Sequence, residues 1–213
     1  MGIAAIGRLG GRARTTSVAS VIDFRRLLGE TDWAALPGAV RARFMAHAGT
    51  VVYAGQMVVR ANGAGWLIAQ LCRLIGTPLA PGTGADVPVA VSVYMDRGAL
   101  VWDRRYDFGG RTPVLVSSRK TVDADGRLLE VVRGGLGMAL SVSQVCGALH
   151  FSSRFYFLQL GRVRLVIPAL LTPGAAHVAH EDLGQGRFRF ALSFRHPWLG
   201  ETFFQEGVFL DPA

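Results

Sequence analysis

The chain has 213 residues, half of them hydrophobic and 18% charged, a balance that fits a compact globule and excludes a disordered or fibrous chain. No run of about 18 uninterrupted apolar residues occurs, which excludes a membrane-spanning helix. The mean hydropathy of +0.31 therefore reads as core plus cavity lining. A net charge of +8 invites a nucleic-acid partner, but 22 of the 23 basic residues are arginines scattered along the chain, and Lys120 is the one lysine. Phosphate recognition needs basic groups clustered on a face, so no nucleic-acid partner is expected.

Residues 1–22 carry Arg8, Arg12 and Arg14 ahead of the first acid, Asp23, and read as a flexible tail before a single domain at 23–213. The apolar start Ile3 to Ile6 is too short for a secretory signal, so a cytoplasmic protein is expected, with Cys72 and Cys146 as buried thiols. Gly7, Gly10 and Gly11 lack the strand and following βαβ unit that would make them a phosphate-binding loop.

Asp23 can cap a short helix in which Phe24, Leu27 and Leu28 recur at helical spacing and which Gly29 ends. Leu36 and Pro37 open a second segment, with Val40, Phe44 and His47 on one face and Arg41 and Arg43 pointing elsewhere. A strand follows at 50–60, with Tyr53, Gly55, Met57 and Val59 on one side. Residues 65–75 form an apolar helix, an insertion near 64–76 stopped by Gly76 and Pro78. It is too short to cross a bilayer and reads as a cover over one barrel end; Trp66 on it offers a peripheral membrane contact.

From Val87 onward the period is two. Val89, Val91, Val93 and Met95 alternate with polar or small residues, and Asp96, Arg97 and Gly98 turn into a strand at 100–108. Strands follow at 114–120 and 128–132, then Met138, Leu140 and Val142 lead through Cys146 and Gly147 into Leu149, Phe151, Ser153, Phe155 and Phe157. The chain closes with 177–182, with Phe188, Phe190, Leu192 and Phe194 alternating against arginines, and with 203–210. About ten short strands at this spacing, with no long C-terminal helix, predict a mainly β fold: an antiparallel barrel or half-barrel, lipocalin-like, with N-terminal helices. Such a barrel can leave room for one small ligand.

Arg104 shares the expected inner face with Trp102, Tyr106 and Phe108. A buried guanidinium needs a carboxylate, and Glu130, between Leu128 and Val132, is the candidate. The pair either fixes strand register or presents Arg104 to the acidic head of a ligand whose tail lies among aromatic residues such as Phe151 and Phe190. The candidate ligand-binding set is therefore Trp66, Trp102, Arg104, Tyr106, Glu130, Phe151 and Phe190. No catalytic residue or metal site is assigned: His177 and His180, three apart on a strand, face opposite ways, and no serine sits in a nucleophile elbow.

The order Leu27-Leu28-Gly29, Trp33, Leu36-Pro37, Val40-Arg41, His47, Asp86-Val87-Pro88-Val89, Trp102-x-Arg104-x-Tyr106, Glu130, Gly147-x-Leu149, His196-Pro197-x-Leu199-Gly200 and Gly207 resembles a bacterial family, domain of unknown function 4166. The likeness covers roughly residues 24–210. Members of that family stand alone or follow saccharopine-dehydrogenase-like or short-chain-type NAD(P)-binding domains. The resemblance implies a dehydrogenase partner and carries over no activity, cofactor or site residue.

Three readings follow. The first is a binding domain for a hydrophobic small molecule or lipid, without a cofactor. The second is an accessory or substrate domain of an NAD(P)-dependent oxidoreductase system, with acid–base work by Glu130, His180 or His196, for which a carboxyl raised toward neutrality would be the sign. The third is a filled barrel that acts as a protein interaction domain.

Overall fold

The computed structural model describes residues 22–45, 49–73, 79–161 and 163–212. The tail up to residue 21, His47, and residues 74 and 75 of the expected helix with its stops Gly76 and Pro78 lie outside these.

Ten strands close an antiparallel barrel and an eleventh extends it: β1 (Val51–Ala61), β2 (Gly84–Asp96), β3 (Ala99–Tyr106), β4 (Val114–Val122), β5 (Leu128–Val132), β6 (Leu136–Val145), β7 (Ala148–Leu160), β8 (Val163–Ile167), β9 (Ala175–Gly184), β10 (Arg187–His196) and β11 (Gly200–Leu210). Neighbours in sequence pair with one another, β11 returns to β1, and β7 bypasses β8 to pair with β9. The expected alternation sets the inner face. Val87, Val89, Val91 and Val93 of β2 and Phe188, Leu192 and Phe194 of β10 are buried there. Arg97 and Gly98, both at positive φ, supply the tight turn that a two-residue hairpin between twisted strands requires.

Strand β8 was not among the expected elements, and it opens the wall. Leu149–Ser152 of β7 pair with β9, whereas Tyr156–Leu160 pair with β8 on that same edge. The two partners diverge, and a single 3-10 turn at Ala169–Leu171 crosses the gap. Tyr156 ties the seam by donating its hydroxyl hydrogen to the Gly174 carbonyl at 2.7 Å. A bulge in β7 also corrects the expected alternation. Ala139 pairs with Phe155 and Leu140 with Ser153, so Arg154 is unpaired and the faces exchange. Leu149 and Phe151 face in, Tyr156 follows them, and Phe157 packs outside against Leu129 and Ala139.

The helices close the barrel at one end and border it at the other. The first is α1 (Phe24–Leu28), capped by the Asp23 side chain as expected. Next come α2 (Glu30–Ala35), which the sequence did not announce, and α3 (Gly38–Phe44). Phe24, Leu36, Val40 and Phe44 pack with Leu128, Leu140, Leu149 and Phe151 to seal the end where β6 turns into β7. Arg43 does not point elsewhere, contrary to the expectation; three residues on from Val40, it shares that side of the helix. It is buried beside Phe44 and ion-paired to Asp182 and Asp211. At the opposite end α4 (Gly63–Cys72) follows β1, capped by the Asn62 side chain, and its Gly65 lies so close to the Thr202 carbonyl of β11 that a Cβ would overlap it. Both cysteines are free. Cys146 is exposed, not buried, because it occupies a positive-φ turn position with Gly147, while Cys72 is half-buried.

Candidate functional site

On β1 and β11 the interior is filled by Tyr53, Met57, Val59, Phe203 and Phe209. Across from them, β3 to β10 surround a cavity of about 340 Å³. Phe44, Trp102, Phe151 and His180 line its closed end, Met138, Phe190, Leu192 and Phe194 its walls, and Ile68, Leu71, Ile167 and Leu171 its mouth. Leu71 of α4 is 58% exposed and Leu171 of the seam turn 77%, so the mouth opens between them.

Register places a polar cluster inside these apolar walls. Lys120 lies opposite Glu130 across β4 and β5, and Trp102 lies opposite Ser118 across β3 and β4. The Lys120 Nζ is 3.2 Å from Glu130 Oε1 and 4.8 Å from the centroid of the Trp102 ring. Arg104 Nη2 donates to Ser118 Oγ at 2.6 Å and lies 3.7 Å from Glu130 Oε1. The side chains of Lys120 and Glu130 are 9% exposed and that of Arg104 12%. Two cations thus face one carboxylate in an apolar chamber, a surplus of one positive charge. Among the described residues, Arg104 Nε and Trp102 Nε1 are buried donors without an acceptor. Such groups cost about 1–3 kcal/mol each when left unsatisfied.

Burial alone would raise the Glu130 carboxyl, but Lys120 and Arg104 outweigh it and hold the group below its ordinary range. Burial lowers the Lys120 ammonium, Glu130 opposes the change, and the Arg104 charge adds to it. His180, on the inner face of β9, sits against Phe44 at 5.0 Å and Phe188 at 4.5 Å, with neither ring nitrogen partnered among the described residues. Burial, with the Arg43 charge second, pushes its pKa down to about 3, so it is a neutral imidazole.

Of the residues singled out by sequence, Trp102, Arg104, Glu130, Phe151 and Phe190 all line the cavity. Tyr106 shares their strand face but lies outside the lining, stacked on Phe108, with its hydroxyl donating to Gln205 at 2.9 Å. Trp66 is 52% exposed on the outer side of α4, and the helix reaches the cavity through Ile68, Leu71 and Cys72 instead. Sequence reasoning missed Ser118 and Lys120, and had His180 only as an acid–base candidate, not as part of the cavity lining. The alternation Val114, Val116, Ser118, Lys120 held the signal for the first two.

His180 and His196 do not meet. His180 faces Phe190 across the sheet, six residues or roughly 20 Å of strand from His196. His196 is buried at the β10–β11 turn, where its Nδ1 accepts from the backbone of Trp198 and Leu199 at 3.2 and 3.3 Å. His177 faces outward, 3.2 Å from His150. Among the described residues no three His, Cys, Asp or Glu side chains gather as a metal site would require, and no helix is long and apolar enough to cross a membrane.

Fold and site together define an antiparallel β-barrel protein with one sealed end, one open end and a cation-rich inner cluster in an apolar cavity. Within that class, the chain belongs to the family described as Domain of unknown function (DUF4166), whose model matches residues 36–209. No curated protein and no solved structure matches it.

Proposed function

We propose that this barrel is a binding domain for one hydrophobic small molecule or lipid, in the manner of a lipocalin-like carrier. Its tail would lie among Phe190, Leu192 and Phe194, and its oxygen-bearing head would meet Arg104, Lys120 and Trp102. The observation that carries the reading is the pair of buried donors, Arg104 Nε and Trp102 Nε1, that find no acceptor among the described residues, beside a cavity of about 340 Å³. An acidic head is the natural occupant, because it would satisfy both donors and balance the surplus cation. The size falls in the range of small-molecule sites and the lining has their makeup, apolar with a few convergent polar groups.

The accessory-enzyme reading has less support, since Glu130 is held low and ion-paired where a general acid would be raised. A filled interaction barrel would have no such void. The exposed apolar rim favours a ligand taken from a bilayer: Trp66, Leu67 and Leu71 of α4, Leu170 and Leu171 of the seam, and Trp198 and Leu199 of the β10–β11 turn.

Native mass spectrometry of the purified protein, with organic extraction of whatever accompanies it, tests the reading. One apolar or amphipathic molecule per chain is expected. A clean apo mass that persists after incubation with a lipid extract would overturn it.

A further inference from the structure

The sequence spends 22 arginines and a single lysine on its 23 basic positions, and that lysine is buried inside the cavity. Wherever a cation serves solubility or a surface ion pair, this chain uses arginine. A guanidinium is always charged and is a poor nucleophile, whereas an amine can shed its proton when buried and attack a carbonyl carbon. The surroundings of Lys120 suit that chemistry. Lys120 lines a chamber that is open at its far end, Glu130 Oε1 lies 3.2 Å from Nζ as a ready counter-ion for a protonated nitrogen, and the Arg104 guanidinium adjoins the same carboxylate.

We propose that Lys120 holds an apolar aldehyde covalently, as a reversible imine, at the inner end of the barrel. The inference rests on the reading of the cavity as an amphipathic-ligand site and adds a covalent mode for chains that end in an aldehyde. The Lys120 ammonium gives up a proton to water entering at the mouth, and the freed amine adds to the carbonyl carbon. The nitrogen–carbon bond forms as the carbonyl π pair moves to oxygen, and transfer of one proton from nitrogen to that oxygen gives the neutral carbinolamine. Its hydroxyl leaves as water with the proton that solvent returns, and a protonated imine remains. Ammonium plus aldehyde has become iminium plus water, no electrons are exchanged with a third party, and Glu130 ends as the counter-ion. Burial supports the step, because it lowers the pKa of the ammonium and so raises the share of free amine at neutral pH.

The test uses the whole chain, n-decanal and sodium cyanoborohydride, followed by intact mass and peptide mapping. Lys120 and the N-terminus are the only primary amines. The expected result is one decyl adduct at Lys120, formed about tenfold or more faster with decanal than with propanal, since burial of two extra methylenes already gives that factor. Excess decanoic acid should block it, while labelling at the N-terminus is unaffected by chain length or acid. In Lys120→Arg, shown to be folded by its unfolding transition, that adduct should vanish. If native mass spectrometry finds decanoic acid bound but decanal never labels Lys120, the covalent step fails and the cavity reading stands. If neither compound binds, both fail. An equal adduct yield in Lys120→Arg would assign the label to the N-terminus and overturn the proposal.

Discussion

Arg43 grips Asp211 through two hydrogen bonds of 2.6 Å, Nε to Oδ1 and Nη2 to Oδ2, and so joins α3 to the chain just beyond the last strand. The same Nη2 reaches Asp182 of β9 at 2.9 Å, and the guanidinium lies 4.6 Å from the Phe188 centroid. Burial opposes the charge, but the hydrogen bonds and the two carboxylates outweigh it and raise the guanidinium's pKa. Arg43→Ala leaves two carboxylates facing each other beside an apolar core. It should lower stability by about 3 kcal/mol, the low end for breaking a buried pair, as measured by urea unfolding. A loss under about 1 kcal/mol, the scale of a surface ion pair, would show that the clasp contributes little.

Arg104→Lys separates structure from binding. A lysine there keeps a cation near Glu130, so the fold should survive. The ammonium lacks the planar fork that bonds Ser118 through Nη2 while carrying Nε as a further buried donor. Displacement of a fluorescent fatty-acid analogue should show about tenfold weaker binding or worse, the worth of one charge-assisted hydrogen bond. Full occupancy in a folded Arg104→Lys protein would remove Arg104 from the site.

Periodicity made most of the barrel legible, because a strand with one face buried must alternate; Phe188, Phe190, Leu192 and Phe194 faced inward as their spacing required. The Arg104–Glu130 juxtaposition was legible for a related reason, since a charge on an apolar face demands an opposite charge nearby. Period two fails where the pairing slips, so the bulge at Arg154 reversed the placement of Phe155 and Phe157. Arg43 was misread because only its tertiary partners, 139 and 168 residues away, make a buried guanidinium tolerable. The void itself is a matter of volume, and a pattern of faces does not encode volume.

Gly65 tests how α4 borders the mouth. The helix rests on β11 so closely that Gly65→Ala would drive a methyl into the Thr202 carbonyl, and the Asn62 backbone N–H donates to that same carbonyl at 3.2 Å. Thr202 cannot retreat easily, because its hydroxyl is bonded to the Pro173 carbonyl of the seam. The substitution should cost about 1–3 kcal/mol, as overpacking does, and should speed exchange of a bound apolar probe in stopped-flow displacement. Unchanged stability and exchange would mean that α4 does not depend on this contact.

The apolar rim predicts association with lipid surfaces. Trp198 is 76% exposed, and His196 beneath it fixes the turn that carries it. Flotation with vesicles of mixed neutral and anionic lipid should recover the protein. Trp66→Ala with Trp198→Ala should weaken recovery about tenfold or more, since burying one aromatic side chain contributes about 1.5–3 kcal/mol. Equal flotation of the double variant would place any membrane contact elsewhere.

His180 makes stability fall with acid. Its folded pKa of about 3 lies below the ordinary 6.5, so as pH drops below 6.5 the unfolded chain takes up a proton that the folded protein refuses. The loss begins near pH 6.5, continues to about pH 3 and is absent above that window. Its slope approaches about 1.4 kcal/mol per pH unit, with a total near 5 kcal/mol. Glu130 and Asp123, both held below their ordinary 4.5 and 3.8, act in the same direction, but only at lower pH. Between pH 6 and 5 the slope therefore belongs to histidine. His150, also lowered, contributes equally to wild type and variant. His180→Phe keeps a flat ring against Phe44 and Phe188 and has no proton to refuse. Urea unfolding at half-unit pH steps should give it a shallower slope than wild type by about 1 kcal/mol per pH unit, and identical slopes would mean that the buried imidazole is protonated in the folded barrel.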